Sequence, residues 1–389
     1  MKIKILYPQT LGVSPGTLRH GGFPRGRKRI LPLGSPFARV SRAGEIHIGK
    51  IPRASARGFL LLLLLFPSVI FANEVAFGGQ GAIPIPMTPS PILLQDAHIV
   101  ITGNNINSNE LDGSWQYACD YTFKNNTDQT VQVKMGFPFP VKDSITEISI
   151  PKGQRLNKGD PMVYDFHVTV EGKPITPTNY RVPVKKALDY KGAYLWEVTF
   201  QPQQILHIHH DYVTGVTVND MGQSFVNYVL QNGGLWQKGK MASATVEVIP
   251  NTPTRFCHEI EENHPSTNLP GVKISGDKSD RRYQWHLTRF SPAKDLHACL
   301  LTGRDYIRYR VVYPIAQGSD SIPLNTITAE QLRFLQNAIY AQYGQHFQDA
   351  QMQAFFNSQW WYESNLNYSD RMLAPDDKTA LALIKKYAP

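Results

Sequence analysis

The sequence predicts a mainly β protein: an antiparallel β-sandwich followed by a small three-helix α domain. Three observations carry this expectation. Short stretches of alternating apolar and polar residues recur from about residue 95 to 315. Clusters such as NNTD (125–128), PKG (151–153) and NTPT (251–254) separate them, as turns between antiparallel strands require. Beyond about residue 325 the apolar spacing becomes three and four, the period of a helix face.

The chain begins with a segment that belongs to neither domain. Arg53 and Arg57 precede GFLLLLLLFPSVIFA, residues 58–72. A positive stretch followed by an apolar run of this length is the pattern of a secretory signal peptide. The run is shorter than the about 20 residues of a membrane-spanning helix, and a retained anchor is the alternative. Ile70 and Ala72 suit the −3 and −1 positions of a cleavage site, which places the cut between Ala72 and Asn73. The first fifty residues are rich in Pro, Gly and Arg and have no period. Residues 1–72 therefore read as a leader, with the true start expected near residue 52; a cytoplasmic tail is the other reading.

Removing the leader changes the charge. Of 40 Lys and Arg, twelve lie in residues 1–58, together with one of the 31 acidic residues. The 28 basic and 30 acidic residues that remain give about −2, against +9 for the whole chain. A nucleic-acid-binding surface is not expected at that balance.

From residue 73 to 315 the strand signals follow one another. In WQYACDYTF the residues Trp115, Tyr117, Cys119, Tyr121 and Phe123 fall on one strand face, so Cys119 reads as a small buried apolar residue. Further alternations run through Phe166, Val168 and Val170, through Tyr194, Trp196, Val198 and Phe200, and through Ala244, Val246 and Val248. No helix of more than two turns is expected in this region. With Cys119 in a core, Cys257 and Cys299 remain as the pair for a disulfide in an oxidising compartment.

Residues 316–325 read as a polar linker, and residues 326–389 as the helical domain. Thr328 followed by Gln331 is a capping-box pattern. Leu332, Leu335, Ile339 and Tyr343 then form one helix face, and Gly344 stands where a left-handed C-cap is wanted. A second helix is expected from about Asp349 to Asn357 and a third from about Pro375 to Tyr387, with Lys385 and Lys386 favouring its C-terminal dipole end. About 60 residues make a small core, so the many aromatic side chains must fill it.

The segment from about residue 326 to 387 resembles the YARHG domain, a small helical module of exported bacterial proteins. The resemblance lies in Leu332–Arg333, Ile339, Tyr340, Ala341, Gly344, Phe347, the run Phe356 to Gln359, Trp361–Tyr362 and Leu373. It departs at two of the five naming positions, where Gln342 replaces the family Arg and Tyr343 the family His. The resemblance implies an extracellular or periplasmic interaction module and carries no established activity over to this chain. More weakly, AFGGQGAIPIPM (76–87), YTFKNNTDQTVQVKMGFPFP (121–140) and YVLQNGGLWQKGKMASATVEV (228–248) resemble secreted bacterial β domains of unknown function.

Few segments suggest chemistry. ILHIHHDYV contains His207, His209 and Asp211 in the H-x-H-x-D spacing of dinuclear zinc hydrolases, but Tyr212 replaces the last His of that motif. The three also fall on one face of a strand-like run, which reads as a solvated face. No G-x-S-x-G elbow is present. Adjacent Trp360 and Trp361, with Tyr362, cannot all point into one core from one element, so one of them is a candidate for contact with a sugar or a protein.

The resulting expectation is an exported, non-enzymatic binding or interaction protein of the periplasm or the medium. It has no assigned catalytic residue, no cofactor, no nucleic-acid partner and no membrane span after signal cleavage; an envelope protein or a glycan is the partner class considered. Two other readings stand beside it: a metal-dependent hydrolase using His207, His209 and Asp211, and a purely structural envelope protein.

Overall fold

The alternating stretches are strands in the structure, a computed structural model that describes residues 81–108, 111–139, 148–157, 159–181, 192–239, 241–290 and 292–387. The leader, its start and the Ala72–Asn73 cleavage site lie outside the described residues. In chain order the strands are β1 (Gly81–Ala82), β2 (Ile85–Pro86), β3 (Ile92–Asn104), β4 (Ser114–Asn125), β5 (Val131–Phe139), β6 (Val163–Val170), β7 (Lys173–Ile175), β8 (Thr178–Arg181) and β9 (Gly192–Phe200). They continue with β10 (Ile205–Gly215), β11 (Thr217–Val218), β12 (Gln223–Val229), β13 (Met241–Ile249), β14 (Thr254–Phe256), β15 (Lys273–Ser275), β16 (Arg282–Phe290) and β17 (Leu296–Thr302).

One sheet of eight strands runs in the order β15-β16-β13-β3-β4-β10-β6-β7. Its neighbours are antiparallel except for the parallel pair β13 and β3. Two smaller sheets cover one face of it. The five-stranded sheet, β1-β12-β17-β14 with β11 on β12, packs over β16 and β4. There Phe256 meets Tyr283 at 4.6 Å between ring centroids and Tyr228 meets Tyr117 at 6.3 Å. The four-stranded sheet, β2-β5-β9-β8, packs over β10 and β6, where Phe137 lies 4.7 Å from Phe166 and 4.8 Å from Tyr212.

Period-two alternation explains why the large sheet buries that face. On β4, Trp115, Tyr117, Cys119, Tyr121 and Phe123 are all buried, and aromatic side chains suit a pleated, half-covered surface. On β10, Leu206, Ile208, His210 and Tyr212 point inward, and the intervening residues face outward. Each large apolar side chain removed from water stabilises the fold by roughly 1.5–3 kcal/mol.

The helical segments are α1 (Glu259–Glu262), α2 (Gly303–Ile307), α3 (Tyr313–Ala316), α4 (Ala329–Ala341), α5 (Ala350–Asn357) and α6 (Pro375–Tyr387). The last three stand where the sequence places them. Thr328 and Gln331 form the reciprocal capping box of α4, Asp349 caps α5 through the amides of Gln351 and Met352, and α6 opens on Pro375, whose missing N–H costs nothing at a first turn.

One helical stretch departs from expectation. Residues 303–316 are helical throughout, α2 passing through a π turn at Arg308–Val312 into α3, although the sequence reads as β there. Its inward residues are aromatic and β-branched, which favours strand on propensity, and packing overrides that preference. Tyr306, Ile307, Val311, Val312 and Ile315 join Leu332, Leu335 and Ile339 of α4 and Ala380 and Ile384 of α6 in one core. The small helical domain therefore completes its core with a helix drawn from the end of the β region.

Candidate functional site

A cleft opens where the loops at one end of the sandwich meet α2, the end of α4 and the loop after α5. The helix end is built by local rules. Gln342 follows α4 with helical backbone angles, and Gly344, at φ +84°, reverses the chain. Its carbonyl then accepts from the Asn365 amide at 2.8 Å. This turn aims Gln342 and Tyr343 at the first turn of α6. The Gln342 side chain donates from Nε2 to the Ile339 carbonyl at 3.0 Å and to Asp377 Oδ1 at 2.9 Å. The Tyr343 hydroxyl donates to Asp377 Oδ2 at 2.6 Å, and the Ala374 amide donates to that same oxygen at 2.7 Å. Asp377 is wholly buried, and these donors replace the water its carboxylate loses. Burial, and next the Asp377 carboxylate, push the Tyr343 phenol up to about 12.

Two cavities flank this knot. One, of about 310 Å³, is lined by Asn107, Pro253, Arg304, Gln342, Tyr343, Gly344, Trp361, Glu363 and Asn365 among others. The other, of about 650 Å³, is lined by Ser108, Leu111, Arg304, Arg308, Tyr343, Met372, Ala374 and Pro375. Arg304 and Tyr343 belong to both, and the Arg304 guanidinium lies 4.9 Å from the centre of the Tyr343 ring, a cation–π arrangement. Leu111, Leu366 and Met372 are exposed around the openings.

Two residues of the smaller cavity carry enclosed acceptors. Gln342 Oε1 and Asn107 Oδ1 are both buried and neither has a hydrogen-bond partner. An orphaned buried acceptor costs about 1–3 kcal/mol. Beside it, Asp305 ties the helical domain to the sandwich. Its carboxylate accepts from the Ser108 amide, the Ser108 hydroxyl at 2.5 Å and the Thr302 hydroxyl at 2.7 Å, with Arg308 at 3.4 Å. Burial raises the Asp305 carboxyl above its ordinary range, and these bonds oppose the rise.

The sequence candidates fall in several places. Of the motif residues, Ala341 is buried in the core, Tyr340 packs against it, and Gln342, Tyr343 and Gly344 line the smaller cavity. Trp361 and Tyr362 are buried, and Trp360 is half-buried between Tyr306 and Arg255. Cys257 and Cys299 form a disulfide, and Cys119 is free and buried. His207, His209 and Asp211 lie on the outer face of β10, away from the cleft. His209 shares a hydrogen bond with Asp120 at 2.8 Å, Asp211 with His167 at 3.0 Å, and His207 pairs with Thr122 at 3.4 Å. Among the described residues, no group of three or more His, Cys, Asp or Glu is placed to hold a metal ion.

Sequence reasoning missed Asn107, Arg304, Asp305 and Asp377. Two had a legible signal: Thr302 followed by Asp305, and Pro375-Asp376-Asp377, are both helix-start patterns. Asn107 had none, because an Asn in a loop reads as a turn residue.

Comparison with known proteins gives the class first. The YARHG domain model matches residues 315–389, and a domain of unknown function, DUF4424, matches residues 116–190. The protein thus joins a C-terminal YARHG domain to a β domain of unknown function. A solved structure from Legionella pneumophila, described as a "putative nutrient binding protein", is 43% identical. It aligns with a TM-score of 0.73 over 80% of this chain and 99% of its own. The chain belongs to the family of that protein. An M1 zinc metallopeptidase from Deinococcus radiodurans aligns at 6% identity and a TM-score of 0.25 over 55% of this chain and 43% of its own, a likeness too slight to carry any inference. No curated protein matches the chain. No described helix is long and apolar enough to cross a membrane.

Proposed function

We propose that the protein is exported, with cleavage between Ala72 and Asn73, and binds a small polar solute in the cleft between the sandwich and the YARHG domain. The observation that carries this reading is the cavity that Asn107, Arg304, Gln342, Tyr343, Glu363 and Asn365 line with polar side chains. Its volume of about 310 Å³ falls in the range of small-molecule sites, about 300–1,000 Å³. The description of the Legionella relative as nutrient binding supports the same reading. The disulfide supports an oxidising compartment, and the apolar run at residues 58–72 supports export.

Binding without turnover is favoured by the state of the titratable groups. Asp377 is held by three donors, and a phenol pushed up to about 12 is a poor base at neutral pH. The test is thermal denaturation of residues 73–389 with amino acids, amines, sugars and carboxylates, each at millimolar concentration. At least one class should raise the melting temperature of the native protein and raise that of Gln342→Leu much less. The reading fails if no class stabilises the protein, or if the variant responds equally.

A further inference from the structure

We propose that the solute is amphipathic: its polar part sits in the smaller cavity, and an apolar tail runs past Leu111 into a third cavity. The inference rests on the reading of the cleft as a solute site and adds the chemistry of the solute.

The third cavity, of about 470 Å³, lies between residues 148–150, β11 and the π turn, with Leu111, Ile148, Ile150, Val218 and Tyr309 in its lining. Its walls are joined by backbone bonds. The Ser149 amide donates to the Val216 carbonyl and the Ile150 amide to the Leu111 carbonyl, both at 3.0 Å. The polar side chains of the lining are spent within the wall. Ser149 Oγ donates to the Gly113 carbonyl at 2.5 Å and accepts from the Val216 amide at 2.7 Å. Asn219 Oδ1 accepts from the Met221 and Gln223 amides, both at 3.0 Å, and its Nδ2 donates to Gln223 Oε1 at 2.9 Å. Ser108 is bound to Asp305, and the Tyr309 hydroxyl to Ser108. Asp220, the remaining polar residue of the lining, is exposed to solvent.

What the wall leaves open is aliphatic. Ile148, Ile150 and Val218 are half-buried, and Leu111 is 86% exposed. A polar group entering here would lose water without gaining a hydrogen bond from the spent wall. An alkyl group would remove apolar surface from water on both sides. The three cavities also form one path. Ser108 and Leu111 line both the third and the larger cavity, and Arg304 and Tyr343 line both the larger and the smaller. Along the larger cavity the path follows Leu111, Met372, Ala374 and Pro375, while Arg308 is buried against Asp305. Ligand sites combine apolar walls with a few polar groups that fix orientation. Here the two kinds are segregated to opposite ends, which selects a molecule whose ends differ in the same way.

Titration calorimetry on residues 73–389 at pH 7 tests this with three pairs of compounds, each below its micelle-forming concentration: butyrate and octanoate, glucose and octyl glucoside, N-acetylalanine and N-octanoylalanine. At least one long-chain member should bind at least about tenfold tighter than its short partner, the gain of roughly two buried methylene groups. Leu111→Ser, at an exposed side chain, and Ile150→Thr, which keeps the β-branch, should each remove most of that gain. If the short members bind and the long ones bind no tighter, the tail inference falls and the solute site stands. If the gain survives in both variants, the chain lies elsewhere and the inference falls. If none of the six compounds binds, both readings fall.

Discussion

His210 is a polar side chain enclosed in the core of the sandwich. It is fully buried on β10, and neither ring nitrogen has a partner. Phe137, Phe166, Trp196 and Tyr121 surround it at 5.0–5.8 Å between ring centroids. Burial, and next the charge of His209, lower its pKa from 6.5 to about 3. A group with a depressed folded pKa contributes stability above its unfolded pKa and loses it as pH falls toward the folded one. The window is thus pH 6.5 down to about 3, and the full loss is about 5 kcal/mol at 1.36 kcal/mol per unit. His210→Phe should flatten the dependence of unfolding free energy on pH between 6 and 4, by close to one proton. Denaturant titrations at several pH values check this, and an unchanged slope would contradict it. Sequence alternation alone placed His210 on the inward face, but its ring neighbours come from β4, β5, β6 and β9, which no local pattern identifies.

Among the elements, the α4 terminus is the most tightly specified. Capping box, apolar stripe and terminal glycine all agree with the observed helix, because each is written within one or two turns of chain. Gly344 cannot be replaced cheaply. At φ +84° a Cβ would lie 2.5 Å from Asn365 Cβ and 2.6 Å from the Glu363 carbonyl oxygen. The left-handed backbone costs an L-residue roughly 1–2 kcal/mol and overpacking about 1–3 kcal/mol. Gly344→Ala should therefore cost about 2–5 kcal/mol, measured by chemical denaturation of residues 73–389; a loss under about 0.5 kcal/mol would show that the loop yields freely. Helix 303–316 is the opposite case. Its Thr302 cap was legible, yet its aromatic and β-branched residues spoke for a strand, and only the helices packed around it settle its state.

At the scale of the molecule, the sandwich and the helical core are joined by specific bonds. Ser108 binds Asp305, the Lys278 ammonium reaches the Asn357 carbonyl at 3.1 Å, and Ser279 binds Glu363. The helical core also takes in Tyr306, Ile307, Val311, Val312 and Ile315, all at most 3% exposed. A fragment ending at residue 316 would strip these five of their cover, removing roughly 10 kcal/mol of apolar burial. It should bind a hydrophobic dye and associate, as seen by fluorescence and size-exclusion chromatography. A monomeric, dye-silent fragment with the melting temperature of residues 73–389 would show that the sandwich folds independently of the helices.

The sequence by itself determined which faces are apolar, where the last three helices start and stop, and which segment resembles the YARHG domain. These are local properties, set by periods of two and 3.6 residues and by caps within a few positions of the chain. Tertiary structure alone decided that Gln342 and Asn107, distant in sequence, would line one cavity. It also decided that Asp377 would hold Gln342 and Tyr343, the two positions where the family motif changes. Such meetings depend on the order of strands in three sheets and on how the helices seat against their loops. No short stretch of sequence encodes that order, and the cleft is made by it.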